Sequence, residues 1–267
     1  MMRAAALASR LREITGLDED WMAARNPDAG AVPGYCHELL ARCLGPVGES
    51  WPESLEHVRE LSLGERDWLL LELRRRSIGP RIRGEVRCPH CQATIELDFA
   101  SRDFPIENAR HVVATLPSGR SVTVRPPTAE DHERFAQSGA LTPVERFSLA
   151  VQRLVDGVAP LEIGEQDRDA IERALASATP EGVRLEIDCG VCGKRSSAPF
   201  DVCAFIFAEV REHSKTLIDD VHMLARTYHW SESEILRLSL RRRLAYLTRI
   251  DQERDAALIQ TSQGAAG

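Results

Sequence analysis

"RIRGEVRCPHCQATIELDF", residues 81–99, is the stretch that decides how the rest of the chain is read. Val86 before the cysteines, and Ile95, Leu97 and Phe99 after them, alternate with polar residues, the period-2 pattern of a strand. The stretch therefore predicts a β-hairpin with Cys88-Pro89-His90-Cys91 at its tip. One Cys-x-x-Cys pair supplies two thiolates, whereas a tetrahedral zinc takes four ligands. Two more ligands have to be found elsewhere.

The design recurs once, in "VRLEIDCGVCGKRSSAPFDV", residues 183–202. Val183, Leu185 and Ile187 alternate into Cys189-Gly190-Val191-Cys192, and a polar turn follows. Cys88, Cys91, Cys189 and Cys192 are the ligand set of a zinc ribbon, so one zinc per chain is expected. Two unrelated redox dithiols are the competing reading, and the matching hairpin contexts count against it. Gly190 and Gly193 suit the positive-φ positions of a tight knuckle, where the first knuckle has Pro89 and Gln92. Cys91 and Cys189 are separated by 97 residues, against about 15 to 20 in an uninterrupted ribbon. Loop closure costs only about 0.6 kcal/mol per doubling of length, so a folded insertion is tolerated. Four thiolates leave no open position, which makes the metal structural rather than catalytic. His90 is redundant beside its cysteines, and Cys203 is expected to pack under the helix that follows.

The chain has 267 residues, 43% hydrophobic and 28% charged, the profile of a soluble globular protein. Its apolar runs fall far short of the roughly 20 residues that cross a bilayer. The start, "MMRAAALASRLREITG", reads as an amphipathic helix and not a signal peptide. A formal charge of −7 lacks the basic footprint of a nucleic-acid binder. Seven cysteines, an odd number without a secretory leader, favour a reducing, cytoplasmic setting.

The expected architecture is α+β: a mostly helical chain with a zinc-ribbon-like pair of β-hairpins interrupted by a small α/β insertion. Residues 1–83 read as an N-terminal helical region. Leu7, Leu11 and Ile14 recur at helical spacing before "GLDED" breaks the pattern. "GYCHELLARCLG" forms a second helix, in which Cys36 and Cys43 are too far apart for a disulfide. Ser62 caps a third, with Glu65 in its first turn, Leu69, Leu70 and Leu73 on its apolar side, and Arg74–Arg76 as its solvated end. The split ribbon occupies 84–99 and 183–202. Residues 100–182 form the insertion: strand, Ser-Gly turn, strand, a helix opened by Thr128 and Asp131, then two more helices. Residues 203–262 are a C-terminal helical region whose short helix opens with the capping pair Ser231 and Glu234.

"ITGLDEDW", "LSLGERDWLLLELRR", "RCPHCQATIELDF", "VTVRPPTAED" and "CGVCGK" follow one another in an order that resembles the baseplate proteins of contractile phage tails and related phage-tail-like injection systems. The most specific piece is "IDDVHMLARTYHWSESEILRLSLRRRLAYL", residues 218–247. The resemblance spans most of the chain and is weakest at about 135–182. It implies a non-enzymatic structural component or assembly factor of the baseplate and hub. Its partners would be other baseplate and tail-tip proteins, with no small-molecule substrate, and the protein would be made in the cytoplasm and stay there or enter the assembled particle.

Trp230 sits at a helix end, as a core anchor or a partner contact. Arg241, Arg242 and Arg243 are expected opposite a Leu240, Leu244 and Leu247 stripe, as a solvated face or a dock for an acidic partner. The alternative function is a zinc-ribbon nucleic-acid-binding regulator using "SESEILRLSLRRRLAYL" as a helix-turn-helix-like reader. Asp131 with His132, or His222 with Asp219 and Asp220, are imaginable acid/base groups. No nucleophile motif or open metal triad accompanies them, so no enzyme is expected.

Overall fold

In the computed structural model, residues 2–45, 52–101, 110–179 and 182–264 are described. The N-terminal part is five helices: α1 Met2–Arg10, α2 Gly16–Ala23, α3 Val32–Leu44, α4 Pro52–Arg59 and α5 Leu63–Ser77. Helix α5 forms as its sequence demands. The Glu65 N–H donates to Ser62 Oγ at 3.4 Å, and the Glu65 carboxylate accepts from the Ser62 N–H at 3.3 Å. Leu69, Leu70 and Leu73 are fully buried. Arg74 is buried as well, in an ion pair with Glu209 at 2.8 Å, so only Arg75 and Arg76 form the solvated end.

"GLDED" does not break a helix; it opens α2. Thr15 precedes it, and the Asp18 carboxylate accepts from the Thr15 N–H at 3.0 Å, the Thr-x-x-Asp form of a capping box. Helix α1 ends at Arg10, so Leu11 and Ile14 are buried in a connecting turn rather than on its face.

The two hairpins are β1 Arg81–Arg87 with β2 Thr94–Ala100, and β6 Arg184–Asp188 with β7 Arg195–Pro199. Both are antiparallel, closing at Arg87 opposite Thr94 and at Asp188 opposite Arg195. Each is its own two-stranded sheet. Between them lie β3 Val112–Thr115, β4 Ser121–Val124, α6 Ala129–Gln137, α7 Pro143–Leu154, β5 Val155–Asp156 and α8 Glu165–Ala178. The sheet here has three strands, in order β3-β4-β5; the two-residue β5 was too short to leave a sequence pattern. Val122, Val124, Val151, Leu154 and Ile171 form the core of this part.

Helix α6 leans the other way, onto the N-terminal helices. The Ala129 N–H donates to the Leu61 carbonyl at 2.8 Å. The Glu133 carboxylate meets His37 Nδ1 at 2.6 Å and Arg59 at 3.0 Å. Arg66 Nη1 lies 2.5 Å from His132 Nδ1.

The C-terminal helices are α9 Val202–Ser214, α10 Leu217–Tyr228, α11 Glu232–Leu236 and α12 Leu240–Gly264. Cys203, Ile206, Phe207 and Val210 of α9 join Leu39, Leu40, Leu69, Leu70, Ile82 and Val183 in the main core, so chain before and after the insertion shares one interior. Helices α10, α11 and α12 close over a smaller cluster of Leu224, Ile235 and Ile250. That unit is fastened to the turn before α2: the Leu240 N–H donates to the Ile14 carbonyl at 2.9 Å, and Thr15 bridges Ser239. Gly16 lies so close to α11 that a Cβ there would stand 2.9 Å from Leu236 Cδ2.

Candidate metal centre

The two knuckles have the same backbone design. In the first, the Cys88 N–H donates to the Ala93 carbonyl and the Gln92 N–H to the Cys88 carbonyl, both at 2.9 Å. In the second, the Cys189 N–H donates to the Lys194 carbonyl at 3.1 Å and the Gly193 N–H to the Cys189 carbonyl at 2.8 Å. The residue after the second cysteine is left-handed in each, with φ of 61° at Gln92 and 69° at Gly193. Gly190 is not left-handed, so only one of the two glycines expected to supply positive φ does so.

These turns bring the four sulfurs of Cys88, Cys91, Cys189 and Cys192 within 4.8 Å of one another. Cys88 Sγ lies 3.8 Å from Cys192 Sγ, and Cys91 Sγ 3.6 Å from Cys189 Sγ. A disulfide would need about 2.05 Å. Metal–sulfur bonds of about 2.3 Å in a tetrahedron place sulfurs about 3.8 Å apart, so the spacing fits one shared ion. Backbone N–H groups of Cys192 and Val191 reach the Cys189 sulfur and bring its thiol down to about 6. The Cys91 N–H lowers Cys88 likewise, against the effect of burial. Amides aimed at sulfur favour the thiolate, the form that binds metal.

His90 is exposed and is not one of the four. Cys203 is buried in α9, where its carbonyl accepts from the Cys36 thiol at 3.2 Å. Cys36 and Cys43 are buried free thiols. A left-handed Gln costs about 1 kcal/mol that Gly avoids. Gly193→Ala is therefore expected to lower stability by about 1 kcal/mol, and Gln92→Gly at the equivalent position to leave it equal or higher; denaturant unfolding of the metal-loaded protein reads both.

The other sequence-predicted residues separate. Trp230 is half-buried, stacked on Tyr228 at 4.9 Å between ring centroids and edge-on to Tyr246 at 5.0 Å. It ties the α10–α11 turn to α12. Arg241 and Arg242 are exposed. Arg243 is not on that face, which corrects the expectation of a three-residue solvated run: its side chain is 0% exposed and pairs with Glu19 and, at 3.0 Å, with Asp220. Helical period puts it on the inner side with Leu240, Leu247 and Ile250. Its partner Glu19 lies 224 residues away in sequence, beyond the reach of any local pattern.

Asp131, one of the imagined acid/base groups, is spent on structure. Burial opposes its ionisation, yet Arg125, the Thr128 N–H and Arg153 hold it down at about 2. Asp220 is occupied by Arg243.

A family described as T4 bacteriophage base plate protein matches residues 8–142. The chain belongs to this family. Neither a curated protein nor a solved structure matches it. In this base plate protein the matched stretch runs from α1 through α6 and takes in the first knuckle. It ends before the second knuckle and before the C-terminal helices, so "CGVCGK" and residues 218–247 lie outside it. Among the described residues, no helix is long and apolar enough to cross a membrane.

Proposed function

We propose that this chain is a non-enzymatic structural component or assembly factor of the base plate of a contractile tail or tail-like injection particle, with one structural zinc ion held by Cys88, Cys91, Cys189 and Cys192. The family match over residues 8–142 carries this reading. Thiolates select soft ions such as zinc, and four of them fill a tetrahedral shell without a position for substrate or water. That chemistry supports a fastener rather than a reaction centre. The zinc would clasp the hairpins at 84–99 and 183–202 across the inserted module, and the partners would be neighbouring base plate and tail-tip proteins.

Deleting the gene in cells that make the tail tests the reading. Tails without base plates, or no tails, are expected by electron microscopy, with assembly restored by the intact gene. Normal, contracting tails from the deletion strain would sink it. Mass spectrometry of purified tails then separates a permanent component from an assembly factor.

A further inference from the structure

The first turn of α12 breaks a local rule. Arg241, Arg242 and Arg243 follow one another there with no acidic residue. The N-terminus of a helix carries the positive end of its dipole and favours anions. Arg243 is compensated by Glu19 and Asp220. Arg241 and Arg242 are not: both are exposed, and among the described residues their side chains make no hydrogen bond or ion pair. Some other helical arginines of this chain find a carboxylate on their own helix, as Arg76 finds Glu72, Arg134 finds Glu130 and Arg249 finds Glu253, whereas the exposed Arg146 and Arg226 have no ion pair among the described residues. Local rules broken without compensation inside the fold mark functional positions.

Residues 226–249 hold six arginines and two glutamates, and of those arginines Arg243 and Arg249 are paired, with Asp220 and Glu253 just outside this span. One of those glutamates, Glu234, is engaged by Ser231 at the start of α11. Arg237, at the end of α11, is exposed and has no ion pair among the described residues. Leu244, one turn after Arg241, is 40% exposed, and Arg242 lies one turn before Tyr246, which packs on Trp230. Arginine, tyrosine and tryptophan are the residues that anchor protein interfaces.

We propose that the start of α12, Arg241 and Arg242 with Arg237 of α11 and the exposed Leu244, is the docking surface for a carboxylate-rich face of a neighbouring tail protein. The proposal rests on the chain being a tail component. Arginine matches carboxylates through paired, parallel hydrogen bonds, so two or three side chains suffice to orient such a partner. Sequence-independent grip on a duplex comes from Lys and Arg contacts to many successive phosphates. Three arginines on an acidic chain do not supply them.

The test is Arg241→Glu with Arg242→Glu, expressed in the deletion strain, alongside Arg241→Lys/Arg242→Lys and Arg241→Ala/Arg242→Ala. Acids at that helix end favour the fold, so the Tm of the purified Glu variant is expected to be unchanged or raised. Its incorporation into tails, or its support of their assembly, is expected to fall at least about tenfold, with the Ala pair intermediate and the Lys pair close to wild type. The Ala pair keeps the test decisive if the Glu variant fails to fold. Normal assembly with the Glu or Ala pair, in a strain where deletion abolishes tails, overturns the proposal and leaves the base plate reading intact. Normal tails after deletion overturn that reading instead. Duplex DNA binding or self-association by the wild-type protein that the Glu variant loses, measured by fluorescence anisotropy and analytical ultracentrifugation, also overturns the proposal, in favour of a nucleic acid or a second copy.

Discussion

Purified protein is expected to contain one zinc per chain by elemental analysis, and Cys88→Ser or Cys189→Ser alone is expected to remove it. The two substitutions should act alike because each takes one ligand from the same ion, although they lie on different hairpins. Structural zinc contributes apparent free energies of about 10–16 kcal/mol. A whole domain is stable by about 5–15 kcal/mol, so loss of the ion is not a local event. The hairpins have little else to hold their tips together. They share no sheet, and an isolated two-stranded hairpin is marginal in water. Toward their bases the situation changes: Ile82 and Val183 enter the main core, and Phe99 packs edge-on against Phe200 at 6.1 Å between ring centroids. A chelator should therefore unfold the ribbon first and then loosen the packing of α5 and α9, seen as faster amide exchange in both. Cys43→Ala should keep its zinc, because that thiol is buried in α3, away from the knuckles. Full zinc content in either Ser variant would refute the shared site.

Features fixed by short-range chemistry were legible before any coordinates. The hairpins followed from alternation on either side of the cysteines, and the starts of α5, α6 and α11 from capping pairs three residues apart. The convergence of the four sulfurs was legible because both knuckles sit in the same strand–turn–strand context. Three of the features that escaped show why. Thr15 and Asp18 form the same kind of capping pair as the others, and the signal was present, but "GLDED", which begins at Gly16, read as a break in the helical pattern. Gly16 serves contact instead, since α11 leaves no room for a side chain. The docking of α6 was hidden because its contacts, His37 with Glu133 and Arg66 with His132, join polar residues 66 to 96 positions apart. Composition marks such residues as surface. Arg243 was hidden for the same reason, in its strongest form.

Replacing Arg243 is expected to have the second large effect, a loss of about 3–5 kcal/mol for Arg243→Ala at neutral pH or above. Arg243 and Glu19 are both fully buried, and among the described residues Glu19 Oε1 and Arg243 Nη1 have no hydrogen-bond partner. A pair this poorly satisfied adds little to stability over an apolar pair of the same size, while either member left alone is a buried charge. Without the guanidinium, Glu19 also faces Asp220 and Asp18, which already act to raise its pKa. Burial pushes the Glu19 carboxyl up to about 7 even with Arg243 pulling the other way. A carboxyl deserted by its partner can therefore escape by taking up a proton. The loss in Arg243→Ala should be smallest at about pH 6 and grow toward about pH 9, where protonation costs more. Glu19→Leu combined with Arg243→Met should recover most of the stability, giving a large coupling energy in a double-mutant cycle. Arg241→Ala, on the exposed side of the same turn, should change stability by no more than about 0.5 kcal/mol. The damage should concentrate where α12 meets α2, so that protease cuts near Ser239 before the main core opens. A cost below about 1 kcal/mol for Arg243→Ala at high pH would show that the C-terminal helices are held by Leu240, Gly16 and their backbone bonds alone.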